Sequence, residues 1–237
     1  MHKLSVIVPM YNEEDLINKN IKEIFNTLKS RNLNFEIIVV NDGSTDKTLE
    51  ELKKLELKNL KIVSYKKNKG KGNAIKEGFN YVTGDLVTFI DADLDLHPKQ
   101  IFKFFDYIDK ADIIVGSKNH PESKVDYPFH RIVLSKLFQT YVKLLFMMNV
   151  TDTQVGLKLI KTNCLKKILP KVTIKGFAFD LELLVAANAL RYKIVEAPVI
   201  ISYKKGGGNI TIFTIPEMFA DALIIFYKKN FMHFYNK

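Results

Sequence analysis

The sequence holds a single cysteine, Cys164, among 237 residues. That excludes an intrachain disulfide and any metal centre built on a Cys/His cluster, and it fits a reducing compartment. Long hydrophobic runs are missing as well. The apolar stretches 144–148 and 222–226 are among the longest, against the roughly 18 or more apolar residues that a membrane span needs. The first residues run into a strand-like stretch at 4–8 with polar residues directly behind it, which is not the form of a signal peptide. These features set the expectation of a cytoplasmic protein whose membrane contact, if any, is peripheral. Internal repeats and low-complexity linkers are also lacking.

Apolar residues make up 47% and charged residues 26%, a balance that excludes a disordered, collagen-like or disulfide-scaffold chain. A chain of this length can bury a core without a structural metal. Lys and Arg outnumber Asp and Glu to give a net charge of +10. The surplus suits an anionic partner, a nucleotide or anionic lipid, or simple solubility. No nucleic-acid-binding motif accompanies it, so no nucleic-acid partner is expected.

The first half alternates strand and helix patterns. Apolar, β-branched runs at 4–9, 35–40, 60–65, 86–90 and 112–116 predict five strands. Between them, helical spacing predicts helices over 13–28, from 45 or 46 to 55, over 73–81 and over 98–108. Continuous apolar strands with amphipathic helices between them indicate an α/β fold, a mostly parallel sheet covered on both faces. Ligands then bind beyond the carboxyl ends of the strands, which draws attention to the loops 9–14, 41–46, 68–73 and 91–97. The second half predicts long helices over 129–148 and 215–235, a helix over 178–190, and strands over 151–160 and 194–203. Pro198 marks the last strand as an edge. Both long helices read equally as membrane-resting amphipathic helices and as core or dimer-packing elements.

Asp91, Asp93 and Asp95 alternate directly after an apolar strand. Carboxylates so placed suit a hard cation such as Mg²⁺ or Mn²⁺, and they equally suit a solvated turn before Pro98. The loop 66–73 joins Lys66, Lys67, Lys69 and Lys71 to Gly70 and Gly72, a phosphate-compatible pattern without the spacing of a Walker loop. Asp42 reads either as an acceptor for a base or ribose or as an Asx turn with Gly43. Asp180 and Glu182 read as an acid–base pair or as a helix cap and a dipole partner.

The order of these segments carries more than any one of them. VIVPMYNEE, IIVVNDGSTD, NKGKGNAIKEGF, FIDADLDLHP and IIVGSK together resemble the family-2 inverting glycosyltransferases with a GT-A fold, over roughly residues 3 to 210. DTQVGLKLI and GFAFDLELL narrow the resemblance to the polyprenyl-phosphate branch, the dolichyl-phosphate glucose and mannose synthases, and most to its glucosyl members. The resemblance implies a Rossmann-like GT-A domain over 1–210 and a C-terminal amphipathic helix over 211–237 that is available to a membrane. It implies a nucleotide-diphospho-sugar donor (UDP-glucose first, GDP-mannose second), a polyprenyl phosphate acceptor, and Mg²⁺ or Mn²⁺.

By the same resemblance Pro9, Tyr11 and Glu13 line the base and ribose, and Asp42 recognises the base. Asp91 and Asp93 are the paired aspartates of the metal motif, with Asp95 beside them. Gly70 and Gly72 form the loop near the ribose and sugar. Arg131, after His130, contacts phosphate, Lys205 is a basic position for phosphate, and Lys118 is a donor-binding position that keeps the charge of the usual arginine without its fork. The sequence departs from the family at Asn41, which stands for an aspartate, and at Lys118, which stands for an arginine. Gly207, Gly208 and Asn209 replace a Gly-x-Ser-Lys pattern, and no transmembrane bundle follows the catalytic segment. Two further readings stay open: a transferase acting on a soluble sugar or protein hydroxyl, with Asp180 or Glu182 as base, and a non-catalytic nucleotide-sugar-binding module.

Overall fold

The computed structural model describes residues 2–202 and 214–236. Its strands are β1 (Lys3–Met10), β2 (Asn34–Asp42), β3 (Leu60–Tyr65), β4 (Leu86–Phe89), β5 (Ile113–Ser117), β6 (Lys124–Asp126), β7 (Lys158–Lys161), β8 (Ile194–Pro198) and β9 (Ile200–Ser202). Seven of them form one sheet in the order β3-β2-β1-β4-β7-β5-β8, while β6 and β9 pair separately. All neighbours in the large sheet run parallel except β7, which lies antiparallel between β4 and β5.

The helices are α1 (Ile17–Lys29), α2 (Thr48–Lys53), α3 (Lys71–Phe79), α4 (Ile101–Phe104), α5 (Phe129–Phe146), α6 (Thr162–Ile168), α7 (Phe179–Ala189) and α8 (Thr214–Asn230). Alternate strand residues feed two cores, one on each face of the sheet, which is why the strands read as unbroken apolar runs. Val6, Val8, Ile37 and Val39 meet α1, α2 and α4 on one face. Ile7, Ile38, Val40, Val87 and Phe89 meet α3, α5, α6, α7 and α8 on the other. Helix α1 alone buries Ile17, Ile21, Ile24 and Leu28, each contributing about 1.5–3 kcal/mol.

Several expected elements differ in detail, among them the helix over 215–235, which ends at Asn230 before a separate 3₁₀ turn, Phe234–Asn236. The helix expected over 98–108 is α4 with a 3₁₀ turn on either side, Pro98–Gln100 and Phe105–Tyr107. The strand expected over 194–203 divides after Pro198 into the sheet edge β8 and the separate β9, so Pro198 lies on an edge strand as its missing N–H requires. The segment 151–160 is strand only from Lys158 onward. Because β7 is antiparallel, residues 151–157 enter it at the edge where β1, β2, β4 and β5 end.

Helix α8 packs through Phe219 on Phe138 and Tyr141 and through Phe226 on Phe146, and it buries Met218, Ala222 and Ile225. Its other side exposes Leu223, Ile224 and Tyr227, while α5 exposes Phe129, Leu137 and Leu144. Among the described residues no helix is long and apolar enough to cross a membrane. Lys205 and the segment Gly206, Gly207, Gly208 and Asn209 lie outside the described residues.

Candidate active site

The carboxyl edge of the sheet gathers most of the singled-out residues. Asp42 ends β2 and is buried. Its Oδ1 accepts the Tyr65 hydroxyl at 2.6 Å and the Lys69 N–H at 2.8 Å, and its Oδ2 accepts the Gly70 N–H at 2.8 Å. The Asp42 carboxylate therefore holds the Gly-rich loop. Its partnership and burial push the Tyr65 phenol up, burial being the larger cause. The Asx bond of the turn comes instead from Asn41, whose Oδ1 accepts the Ser44 N–H at 3.2 Å. Gly70 opens α3 at φ 90, a left-handed value that suits glycine.

Lys71 follows and reaches across the edge. Its Nζ lies 2.6 Å from Asp91 Oδ1 and 3.9 Å from Asp180 Oδ2. Asp180 Oδ1 in turn lies 2.7 Å from Lys158 Nζ, which also donates to Val155 O at 2.6 Å. Burial alone would lower the Lys71 pKa; the carboxylates of Asp91 and Asp180, with Asp93, outweigh it and raise it above the ordinary value. The row Asp91–Lys71–Asp180–Lys158 unites four sequence motifs. Gly156 makes room for it, since a Cβ there would collide with Asp91 Oδ2. The N-cap of α7 is Ala178, with no side-chain cap bond, so Asp180 sits inside the first turn and is not the cap. Lys71 was read only as one of four loop lysines for phosphate, and Lys158 was not singled out by sequence; the signal that could have found Lys158 is a lysine inside the otherwise apolar run 155–160, at the start of β7.

Asp93 and Asp95 stand in the turn after β4, where Asp93 Oδ1 accepts the Asp95 N–H at 3.1 Å. Glu13 faces the same region. Burial, then the charges of Asp93 and Asp46, push its carboxyl up. Tyr11 is exposed beside it, and Pro9 is buried in β1, opposite Val40 of β2. Among the described residues no group of three or more His, Cys, Asp or Glu side chains is arranged to hold a metal ion. The donors present are carboxylate oxygens near an acidic turn. They fit a hard cation carried by one or two carboxylates, with ligand phosphate and water completing its shell.

Arg131, in the first turn of α5, lies over the Tyr127 ring, 6.0 Å from its centroid. Tyr127 is pushed up by burial and then by Asp95, with Asp152 and Asp93 contributing and Arg131 opposing. Tyr127 therefore stands near the acidic turn, with Arg131 over its ring. Lys118 is matched by the buried Asp152, whose Oδ2 accepts both the Lys118 backbone N–H at 3.0 Å and its ammonium at 2.8 Å. Glu182 lies elsewhere. It is fully buried and turned toward Thr173, Ile174, Lys228 and Tyr235.

Residues 5–169 match the family model described as "Glycosyl transferase family 2". The chain belongs to glycosyl transferase family 2. It is 31% identical to the dolichyl-phosphate beta-glucosyltransferase of Saccharomyces cerevisiae, over 94% of this chain and 73% of that protein. It is 35% identical to the dolichyl-phosphate beta-glucosyltransferase ALG5A of Trichomonas vaginalis, over 83% of this chain and 64% of that protein. Among solved structures, glucosyl-3-phosphoglycerate synthase from Mycobacterium tuberculosis with phosphoglyceric acid superimposes with a TM-score of 0.73 at 18% identity, over 96% of this chain and 80% of that one. The fold of this family-2 glycosyltransferase is therefore the GT-A arrangement.

Proposed function

We propose that this glycosyltransferase moves glucose from UDP-glucose to a dolichyl-type polyprenyl phosphate, with inversion. The names of its relatives support the acceptor and the sugar. One observation in the site carries the reading: both candidate bases are engaged. Asp180 is held between Lys158 and Lys71, and Glu182 is buried away from the edge. A hydroxyl acceptor needs a base to take its proton, whereas a phosphate is already anionic at neutral pH. The acceptor phosphate oxygen attacks the anomeric carbon, and the bond from that carbon to the diphosphate oxygen breaks. Positioning and charge stabilisation then supply the catalysis.

In this reading Asp42 fixes the loop of Gly70 and Gly72 against the nucleotide, with Pro9, Tyr11 and Glu13 opposite. One or two of Asp91, Asp93 and Asp95 would hold Mg²⁺ or Mn²⁺, which would supply charge neutralisation for the departing diphosphate. Lys71 supplies a further fixed positive charge beside Asp91. Arg131, with Lys205, receives the acceptor phosphate. Residues 1–210 carry transfer, and the segment 211–237 together with α5 rests on the cytoplasmic face of a membrane. The exposed Phe129, Leu137, Leu144, Leu223 and Tyr227, with Lys136 and Lys143 exposed on α5, support that contact.

The test is nucleotide release from a panel of UDP- and GDP-sugars with Mg²⁺ or Mn²⁺, with and without polyprenyl phosphate in detergent. Lipid-stimulated release of UDP with a glucolipid product is expected. Release that ignores the lipid would overturn the acceptor and move it to a soluble hydroxyl.

A further inference from the structure

Helix α7 carries Asp180 and Glu182 two residues apart, a step that turns side chains to different sides of a helix. Asp180 faces Lys71 and Lys158. Glu182 faces away and collects donors from two distant parts of the chain. Its Oε2 accepts the Thr173 and Ile174 N–H groups, each at 2.6 Å. Its Oε1 accepts the Thr173 hydroxyl at 3.0 Å and the Tyr235 hydroxyl at 2.7 Å, and lies 3.3 Å from Lys228 Nζ. Lys228 also donates to the Thr173 hydroxyl. Glu182 itself is fully buried, and a buried carboxylate with this many donors is a fixed point, because losing them strands its charge away from water.

The segment held by that point is the seat of the Gly-rich loop. Lys175 O accepts the Gly72 N–H at 3.0 Å. Lys76, on α3, donates to Val172 O. A Cβ on Gly70 would stand 2.7 Å from Lys175 O, and one on Gly72 would stand 2.9 Å from Ile174 O. The loop thus meets the segment without clearance, and displacement of 173–175 displaces Gly70 and Gly72. Lys71 lies between those glycines, and its ammonium is 2.6 Å from Asp91.

We propose that Glu182 is a positioning residue that couples the C-terminal segment, through Lys228 and Tyr235, to the donor loop 68–73, so that the seating of that segment sets donor affinity. The proposal rests on the reading of that loop as the donor site. It extends it by giving the C-terminal segment control of the donor loop.

Tyr235→Phe and Lys228→Met remove the C-terminal contacts while Glu182 keeps its bonds to Thr173 and Ile174. Two measurements decide. The first is amide hydrogen exchange at Gly72 by NMR on the ligand-free protein. The second is donor KM against kcat in the lipid-phosphate assay. Each variant is expected to raise Gly72 exchange and donor KM by roughly fivefold, within the range of coupling between packed elements, with kcat retained to within about twofold. Glu182→Gln keeps an oxygen for the two N–H groups and is expected to act in the same direction; if it does not fold, the other two variants decide. Folded variants with native Gly72 exchange overturn the coupling, and faster exchange with an unchanged donor KM overturns the positioning role. A native protein that uses no nucleotide-sugar overturns the donor-site reading instead, while the exchange rates still report on the coupling.

Discussion

Lys158 and Asp180 form an ion pair of 2.7 Å with side chains 1% and 7% exposed, pinning the start of β7 to the first turn of α7. Two charges withdrawn from water gain little over an apolar pair, but removing one strands the other. Lys158→Met is expected to lower stability by about 3–5 kcal/mol, read from urea unfolding. A loss under 1 kcal/mol would mean that Asp180 finds its compensation elsewhere.

Lys71→Met tests the exposed end of the same row. The side chain is 31% exposed, so a native melting profile is expected. Transfer should fall by about 10²–10³ in kcat/KM, the usual scale for losing one preorganised charge at a reacting diphosphate. Transfer within threefold of native would remove Lys71 from the reaction.

Asp93→Ala is expected to leave the fold intact and to abolish transfer. It should also eliminate Mn²⁺-dependent UDP binding by calorimetry. A folded variant with full activity would refute the metal assignment.

Gly156→Ala inserts a methyl against the Asp91 carboxylate. Relief by shifting Asp91 costs about 1–3 kcal/mol of overpacking and pulls the carboxylate from Lys71. Lower activity with a modest fall in thermal midpoint is expected. Native kinetics would show that Asp91 tolerates displacement.

Glu36 provides a pH-dependent contribution to stability. Burial opposes its ionisation, but bonds from Ser5, Thr83 and Lys3 outweigh burial and hold its pKa below the ordinary carboxylate value. A depressed folded pKa contributes stability that is complete above the unfolded value of 4.5 and is lost as pH falls through it toward the folded one. Glu36→Gln should flatten the stability profile in that acid window and lower the plateau near neutrality, measured by urea melts across pH. An unchanged slope would assign the acid sensitivity to other carboxylates.

The sheet was legible because burial on both faces leaves strands with no polar alternation, as in Val6, Ile7 and Val8. The direction of β7 was not legible, since periodicity reports which face a side chain takes and not which way the chain runs. The site loops were found because each follows a strand. Their partnerships were hidden: Asp91 with Lys71, and Asp152 with Lys118, join residues that no local spacing relates. Glu182 shows the same limit, since its position beside Asp180 suggests shared chemistry, whereas the helical step sends the two carboxylates to different neighbours.

The insertion of β7 between β4 and β5 bears on biosynthesis. Until Lys158–Lys161 has left the ribosome, β4 and β5 both present unpaired edges on their facing sides. Such edges template pairing with other chains, and closing them needs one strand to hydrogen-bond two others already in place. The nascent chain therefore carries both open edges until this strand emerges, and a ribosomal pause upstream of Lys158 would lengthen that exposure.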